Sequence, residues 1–283
     1  MSSCGAISET NATQSPHFMN FSPLDLYFAD LHKGVSEEER LLLAAVMASA
    51  REGHLCFDLN KWSRVQTVTS PYLHQEGHLI YLKRNFEYEK EIVTHLKRLI
   101  APMAPPVYST EGLTDEQAKA VHLALSNTVS IIEGGPGTGK THLTSAIVKA
   151  VGKSVVLAAP TGKAAARLKK YNPHFHCSTL HALLGFPTRK KTSYIHADLI
   201  VVDESSMINA RLLVHFLRSL REGQRVVFLG DGHQLPPIEL GSLFIDLIDW
   251  VPTAHLSQSL RSDRKEILQL AQDILAGKMI TPQ

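Results

Sequence analysis

Ile131-Ile132-Glu133-Gly134-Gly135-Pro136-Gly137-Thr138-Gly139-Lys140-Thr141 decides the fold, because an apolar strand pattern runs straight into a glycine-rich loop and then into Lys-Thr. Gly134, Gly139, Lys140 and Thr141 meet the spacing G-x-x-x-x-G-K-[ST] of a phosphate-binding loop. Glycines there allow the backbone torsions and close approach that turn N–H groups toward phosphate oxygens. Lys140 then reaches the β- and γ-phosphates. Thr141 opens the following helix, so its hydroxyl can ligate Mg²⁺ while the helix N-terminus adds partial positive charge. The residues from Gly134 to Thr141, with Gly135, Pro136, Gly137 and Thr138 between, therefore predict a cradle for ATP and Mg²⁺.

Working outward, apolar stretches at 129–132, 154–159, 199–202, 226–229 and 254–256 alternate with helical patterns. Continuous apolar strands alternating with helices predict an α/β fold, a parallel sheet with helices on both faces. Upstream the pattern changes. Ser36 and Glu39 form a capping box, and Leu41, Leu42, Ala45, Val46 and Ala48 then follow a helical stripe. Residues 77–82 read as a short strand and 87–100 as a helix. Ala101-Pro102-Met103-Ala104-Pro105-Pro106 breaks the chain there. The organisation predicted is a flexible lead over 1–20, a small mainly helical domain over 21–107, and the α/β domain over 108–283.

The 283 residues are 44% hydrophobic and 20% charged, with a net charge of +2, an ordinary balance for a globular chain that neither demands nor excludes a nucleic-acid partner. Cys4, Cys56 and Cys177 have no metal-knuckle spacing and are odd in number, which favours free thiols in a reducing compartment. Residues 1–20 are polar and lack the basic-then-apolar order of a signal peptide. The longest apolar run, 41–50, is about half of the ~20 residues that span a bilayer. A cytoplasmic protein without a membrane partner is the expectation.

Leu199-Ile200-Val201-Val202-Asp203-Glu204 delivers two carboxylates to the C-terminal end of a strand, the edge at which open α/β sheets bind ligands. Asp203 is the candidate Mg²⁺ residue, and Glu204 the base that orients and deprotonates an attacking water. Phe228-Leu229-Gly230-Asp231-Gly232-His233-Gln234 likewise empties a strand into a polar loop, where the Gln234 amide can both donate to and accept from a γ-phosphate and its water. Lys163 and Arg167 lie four apart on one helical face after Pro160-Thr161-Gly162, which offers cations and backbone N–H groups to a DNA phosphate backbone; a solvated basic face is the other reading. Thr114 and Gln117 form a second capping box. His174, His176, Cys177 and His181 do not meet a tetrahedral metal spacing.

The order and wording of these motifs resemble superfamily 1 DNA helicases, and within them the RecD branch. Leu113-Thr114-Asp115-Glu116-Gln117 is similar to the segment in which a glutamine, here Gln117, reads adenine. Ala159-Pro160-Thr161-Gly162-Lys163-Ala164-Ala165-Ala166-Arg167-Leu168 resembles the family's first DNA-contacting motif. Ser178-Thr179-Leu180-His181 resembles the Thr-x-His segment after it, adding Thr179 and His181 to the DNA-facing candidates. Leu256-Ser257-Gln258-Ser259-Leu260-Arg261 resembles the motif whose arginine, here Arg261, approaches the γ-phosphate. Ser22-Pro23-Leu24-Asp25-Leu26-Tyr27-Phe28-Ala29 and Arg51-Glu52-Gly53-His54-Leu55-Cys56 look like the start of the exodeoxyribonuclease V alpha-subunit family, whose corresponding domain contacts a partner subunit.

The resemblance implies a RecA-like lobe, ATP hydrolysis, 5′ to 3′ translocation on single-stranded or duplex-end DNA in double-strand-break repair, and RecB- and RecC-like subunits as partners in a heterotrimer. Motors of this family have two such lobes, and the sequence ends at Gln283, soon after the Arg261 motif. A further expectation is that this polypeptide alone binds nucleotide without unwinding DNA. An ATP-binding interaction module that has lost motor function is the alternative from another class. A small-molecule P-loop kinase is disfavoured by the Gln234 and Thr179-His181 motifs.

Overall fold

The computed structural model describes residues 21–61, 68, 70–152, 154–186, 193–234 and 243–258. The lead over 1–20 and Arg261 lie outside them.

The amino-terminal part opens with helices α1 (Pro23–Asp30) and α2 (Glu37–Arg51). Each begins with a serine capping box, Ser22 with Asp25 and Ser36 with Glu39. Strands β1 (Cys56–Asp58), β2 (Leu73–Glu76) and β3 (Leu79–Leu82) form an antiparallel sheet in the order β1-β3-β2, with Gly77 and His78 turning the β2–β3 hairpin. The sequence reading anticipated only β3. Leu42, Leu43, Val46, Phe57, Leu73 and Ile80 make the core between these helices and this sheet. Among the described residues Cys177 is a free thiol, as expected.

β3 runs directly into α3 (Lys83–Leu99), whose N-cap Leu82 offers no side-chain hydrogen bond. With no capping side chain to mark it, the start at Lys83 lies ahead of the expected residue 87. Thr128 ties the end of α3 to the next segment: its Oγ1 donates to Leu99 O at 2.6 Å and accepts from Ala101 N at 2.7 Å.

From there the α/β alternation is regular: α4 (Asp115–Ser126), β4 (Val129–Gly134), α5 (Lys140–Val151), β5 (Val155–Ala159), α6 (Gly162–Tyr171), β6 (His176–Thr179), α7 (Leu180–Leu184), β7 (Leu199–Val202), α8 (Ala210–Arg218), β8 (Arg225–Gly230), α9 (Phe244–Ile248) and β9 (Thr253–Leu256). Six strands form one parallel sheet in the order β6-β5-β7-β8-β4-β9. Successive residues point to opposite faces, so both faces can be read off one strand. Ile131, Ile200, Val202, Val226 and Phe228 join the core under α3, α7, α8 and α9. Ile132, Leu199, Val201, Val227 and Leu229 join the core under α4, α5 and α6. Burial on both sides is what makes β5 and β7 apolar throughout. No helix among the described residues is long and apolar enough to cross a membrane.

All six strands are parallel, so their C-terminal ends share one edge. The loops that leave β4, β5, β7 and β8 carry the phosphate loop, the Pro160-Thr161 segment, Asp203-Glu204 and Gln234, while Thr114 and Gln117 open α4.

Candidate nucleotide-binding site

The loop after β4 is shaped by its glycines. Gly137 and Gly139 have φ of 86° and 85°, which side-chain-bearing residues adopt at a cost of about 1–2 kcal/mol. Gly134 is needed for space: a Cβ there would sit 2.7 Å from Thr138 Oγ1 and 2.9 Å from Leu256 Cβ. Thr138 is buried, and its hydroxyl closes the loop by donating to Gly135 O at 2.9 Å. Lys140, the first residue of α5, turns back so that Nζ donates to the carbonyls of Gly134 and Gly135. Burial depresses the Lys140 pKa below the usual lysine range, and Asp231, Asp203 and Glu204 oppose that shift by favouring the charged form. Thr141 sits in the first turn of α5 and lines the same cleft.

Strand β7 ends in a built corner. Asp203 N donates to Ala158 O of the neighbouring strand at 2.9 Å, and Ser205 Oγ donates to Val202 O at 2.8 Å. Between them Glu204 adopts φ 55° and ψ 41°, a left-handed conformation that costs a non-glycine residue on the order of 1 kcal/mol. Its own N–H donates to Asp203 Oδ1 at 3.0 Å. The corner turns both carboxylates toward Arg167, whose Nη2 donates to Asp203 Oδ2 and Glu204 Oε1 at 2.9 Å each.

After β8, Asp231 is buried and accepts from His233 N at 3.0 Å, while Gln234 N donates to Asp231 O at 3.2 Å. This turn presents the exposed Gln234 to a cleft of about 440 Å³. The cleft is lined by the loop from Gly135 to Thr141, Arg167, Tyr171, Glu204 and Gln234, together with His142 and Ser145.

Gln117 is buried, and both ends of its amide are engaged inside the protein: Oε1 accepts from Thr114 N at 3.2 Å and Nε2 donates to Thr138 O at 3.2 Å. It thereby ties the α4 capping box to the phosphate loop. On the DNA-facing list, Thr161 and Thr179 are the N-caps of α6 and α7, accepting from Ala164 N and Ala182 N. Because Ala159 pairs with Thr179 in the sheet, the two helix starts lie side by side, with Pro160, exposed Lys163 and exposed His181 beside them. Arg167 departs from that group and turns to the carboxylates.

Glu116 was missed by the sequence reading. It accepts from Ser257 Oγ at 2.5 Å, Ser257 N at 3.0 Å and Gln258 N at 3.3 Å, holding the exit of β9 where the Arg261 motif begins. Those hydrogen bonds, the serine hydroxyl first, lower its pKa below the usual carboxylate range. The only sequence signal for it is its place beside Gln117.

The residues fit Mg-ATP. An ammonium for the phosphates stands in a glycine cradle, and the Thr141 hydroxyl and the buried strand-end carboxylate of Asp203 supply oxygen ligands of the kind a phosphate-bound Mg²⁺ takes. These features on one edge of a parallel sheet define a P-loop NTPase lobe.

The chain belongs to the AAA domain family, whose model matches residues 112–281, and its residues 19–102 match the N-terminal domain of RecBCD enzyme subunit RecD. It is 34% identical to the ATP-dependent RecD2 DNA helicase of Deinococcus radiodurans, over 70% of this chain and 30% of that protein. It is 31% identical to RecBCD enzyme subunit RecD of Mycobacterium tuberculosis, over 86% of this chain and 54% of that protein. The chain thus spans about half or less of the length of these relatives. A solved structure of Pif1 helicase from Candida albicans aligns with a TM-score of 0.48 at 22% identity, covering 59% of this chain and 45% of that one. The expected kinship with RecD is shown by the family models and the two sequence relatives.

Proposed function

We propose that the chain is the ATP-binding lobe of a DNA helicase of the RecD type. The observation that carries this reading is the approach of Lys140, at the start of α5, to the carboxylates of Asp203 and Glu204 at the end of β7, with Lys140 and Glu204 lining one glycine-walled cleft. The backbone N–H groups of Gly135, Gly137, Thr138 and Gly139 and the Lys140 ammonium hold the phosphates. Thr141 and Asp203 hold Mg²⁺, which when bound neutralises charge on the transferring phosphoryl group. Glu204 orients and deprotonates the attacking water, and Gln234 and Arg261 monitor the γ-phosphate. Gln117 fixes the phosphate loop through Thr138.

The paired helix starts at Thr161 and Thr179, with Pro160, Lys163 and His181, form the contact surface for single-stranded DNA, through N–H groups and one mobile cation. In a motor with both lobes, movement is 5′ to 3′. The amino-terminal part docks RecB- and RecC-like subunits in a cytoplasmic heterotrimer acting on duplex ends in double-strand-break repair and recombination. The names of the relatives, a DNA helicase and a RecBCD subunit, support this reading.

Calorimetry with Mg-ATP tests it, followed by hydrolysis with and without single-stranded DNA. Binding abolished by Lys140→Ala, with turnover stimulated by single strands, is the expected result. Binding with turnover indifferent to DNA supports the interaction module instead, and no binding overturns both.

A further inference from the structure

Arg167 is placed to serve the nucleotide. Its guanidinium bridges Asp203 and Glu204 at 2.9 Å each, and it lines the same cleft as the phosphate loop and Gln234. The side chains of the carboxylates are 6% and 17% exposed, whereas that of Arg167 is 44% exposed. The acceptors are therefore walled in and fixed, and the donor sits on a long stem with room to turn. Tyr171, one helical turn further along α6, lines the cleft beside it.

The surrounding charges say what would turn it. Lys140 faces Asp203, Glu204 and Asp231, and Arg167 faces Asp203 and Glu204. Once Asp203 is committed to a divalent cation, Arg167 beside it is a second cation competing for the same oxygens. A triphosphate in the cleft gives the guanidinium new acceptors, and its planar fork of donors suits phosphate oxygens better than a point charge does. We propose that Arg167 is the specificity-determining residue of this site, exchanging the Asp203–Glu204 pair for the terminal phosphate of the bound nucleotide and so separating ATP from ADP. This rests on the nucleotide reading of the cleft given above. Arg167 shares α6 with Thr161 and Lys163, so the exchange couples the presence of the γ-phosphate to the helix assigned to DNA.

The test is equilibrium fluorescence titration of the whole chain with mant-labelled ATP and ADP in excess Mg²⁺. Arg167→Ala is expected to weaken mant-ATP about tenfold, the loss of one charge-assisted hydrogen bond, and mant-ADP by less than about twofold. Arg167→Lys keeps the cation and loses the fork, and is expected to retain part of the preference, which carries the test should the alanine variant not fold. Equal weakening of both nucleotides, or of neither, overturns the inference and leaves the cleft a nucleotide site. An unaltered protein that binds neither overturns the underlying reading and the inference with it.

Discussion

Arg218 on α8 grips Glu91 on α3 through two hydrogen bonds, 2.8 Å from Nε to Oε2 and 2.6 Å from Nη2 to Oε1. The two residues are 127 positions apart. Beside them Arg98 Nη2 donates to the carbonyls of Leu217 and Leu220 at 2.9 and 3.1 Å, satisfying oxygens at the end of α8. Ile92, Leu96 and Leu99 are buried in the core shared with Leu213, Val214 and Leu217. Helix α3, counted by sequence with the amino-terminal part, thus also covers one face of the α/β sheet.

A cut at the sequence boundary near residue 108 should therefore cost the α/β part much of its stability. Burying each of Ile92, Leu96 and Leu99 contributes about 1.5–3 kcal/mol, so losing all three removes roughly 5–9 kcal/mol. That is comparable to the whole stability of a domain, about 5–15 kcal/mol. The expected outcome is that a polypeptide of residues 108–283 shows no cooperative thermal transition, whereas residues 83–283 melt cooperatively. Circular dichroism melts of the two fragments decide it. Equal, sharp transitions would mean that α3 is dispensable to the sheet.

A second prediction concerns Asp246 on α9, which faces an apolar recess formed by Ile92, Val93, Leu96, Leu243, Leu247 and Trp250. Burial pushes its pKa up to about 6, with the negative charges of Glu89 and Asp249 adding to the shift. The folded state then holds this proton more tightly than the unfolded chain does. The resulting penalty is absent near pH 4, grows as pH rises, and is complete above about pH 6. Asp246→Asn removes the ionisation. It should stabilise the protein at pH 7.5 by about 1–2 kcal/mol after allowing for solvent screening, and by far less at pH 4.5. Urea unfolding of both proteins at the two pH values is the measurement. A stabilisation of the same size at both would assign the effect to something other than this titration.

What could be read in advance was what is local in the chain. Gly134, Gly139, Lys140 and Thr141 lie within eight residues, and their spacing alone requires a strand, a tight loop and a helix. Asp203 and Glu204 are announced by the apolar strand that delivers them. The contacts that escaped are those made by folding. Arg167 was assigned to DNA by its i+4 relation to Lys163, yet its partners lie 36 and 37 residues away across the sheet edge. Glu116 meets Ser257 over 141 residues, a distance at which no pattern carries information. Strands β1 and β2 are three and four residues long, Cys56-Phe57-Asp58 and Leu73-His74-Gln75-Glu76, too short for a period to emerge. β6, His176–Thr179, is an edge strand with no fully buried residue, so it lacks the apolar run that marked its neighbours.

Glu204 offers a test that separates backbone from carboxylate. Its left-handed φ of 55° is imposed by the corner between Asp203 N, held by Ala158 O, and Ser205 Oγ, held by Val202 O. Glu204→Ala and Glu204→Gly delete the same carboxylate and the same contact with Arg167, so those losses cancel when the two variants are compared. What remains is the backbone. Alanine keeps a Cβ pressed toward the following carbonyl, whereas glycine adopts this conformation freely, a difference of about 1–2 kcal/mol. Glycine's greater freedom in the unfolded chain returns about 0.4–1 kcal/mol of that. The glycine variant is thus expected to be the more stable by about 0.5–1 kcal/mol in urea unfolding, the reverse of the order in a helix. If alanine proves equal or better, the corner is not held in the left-handed region. If glycine proves better while both variants hydrolyse ATP at the same residual rate, the strained backbone serves to aim a carboxylate whose chemistry a relaxed corner cannot supply.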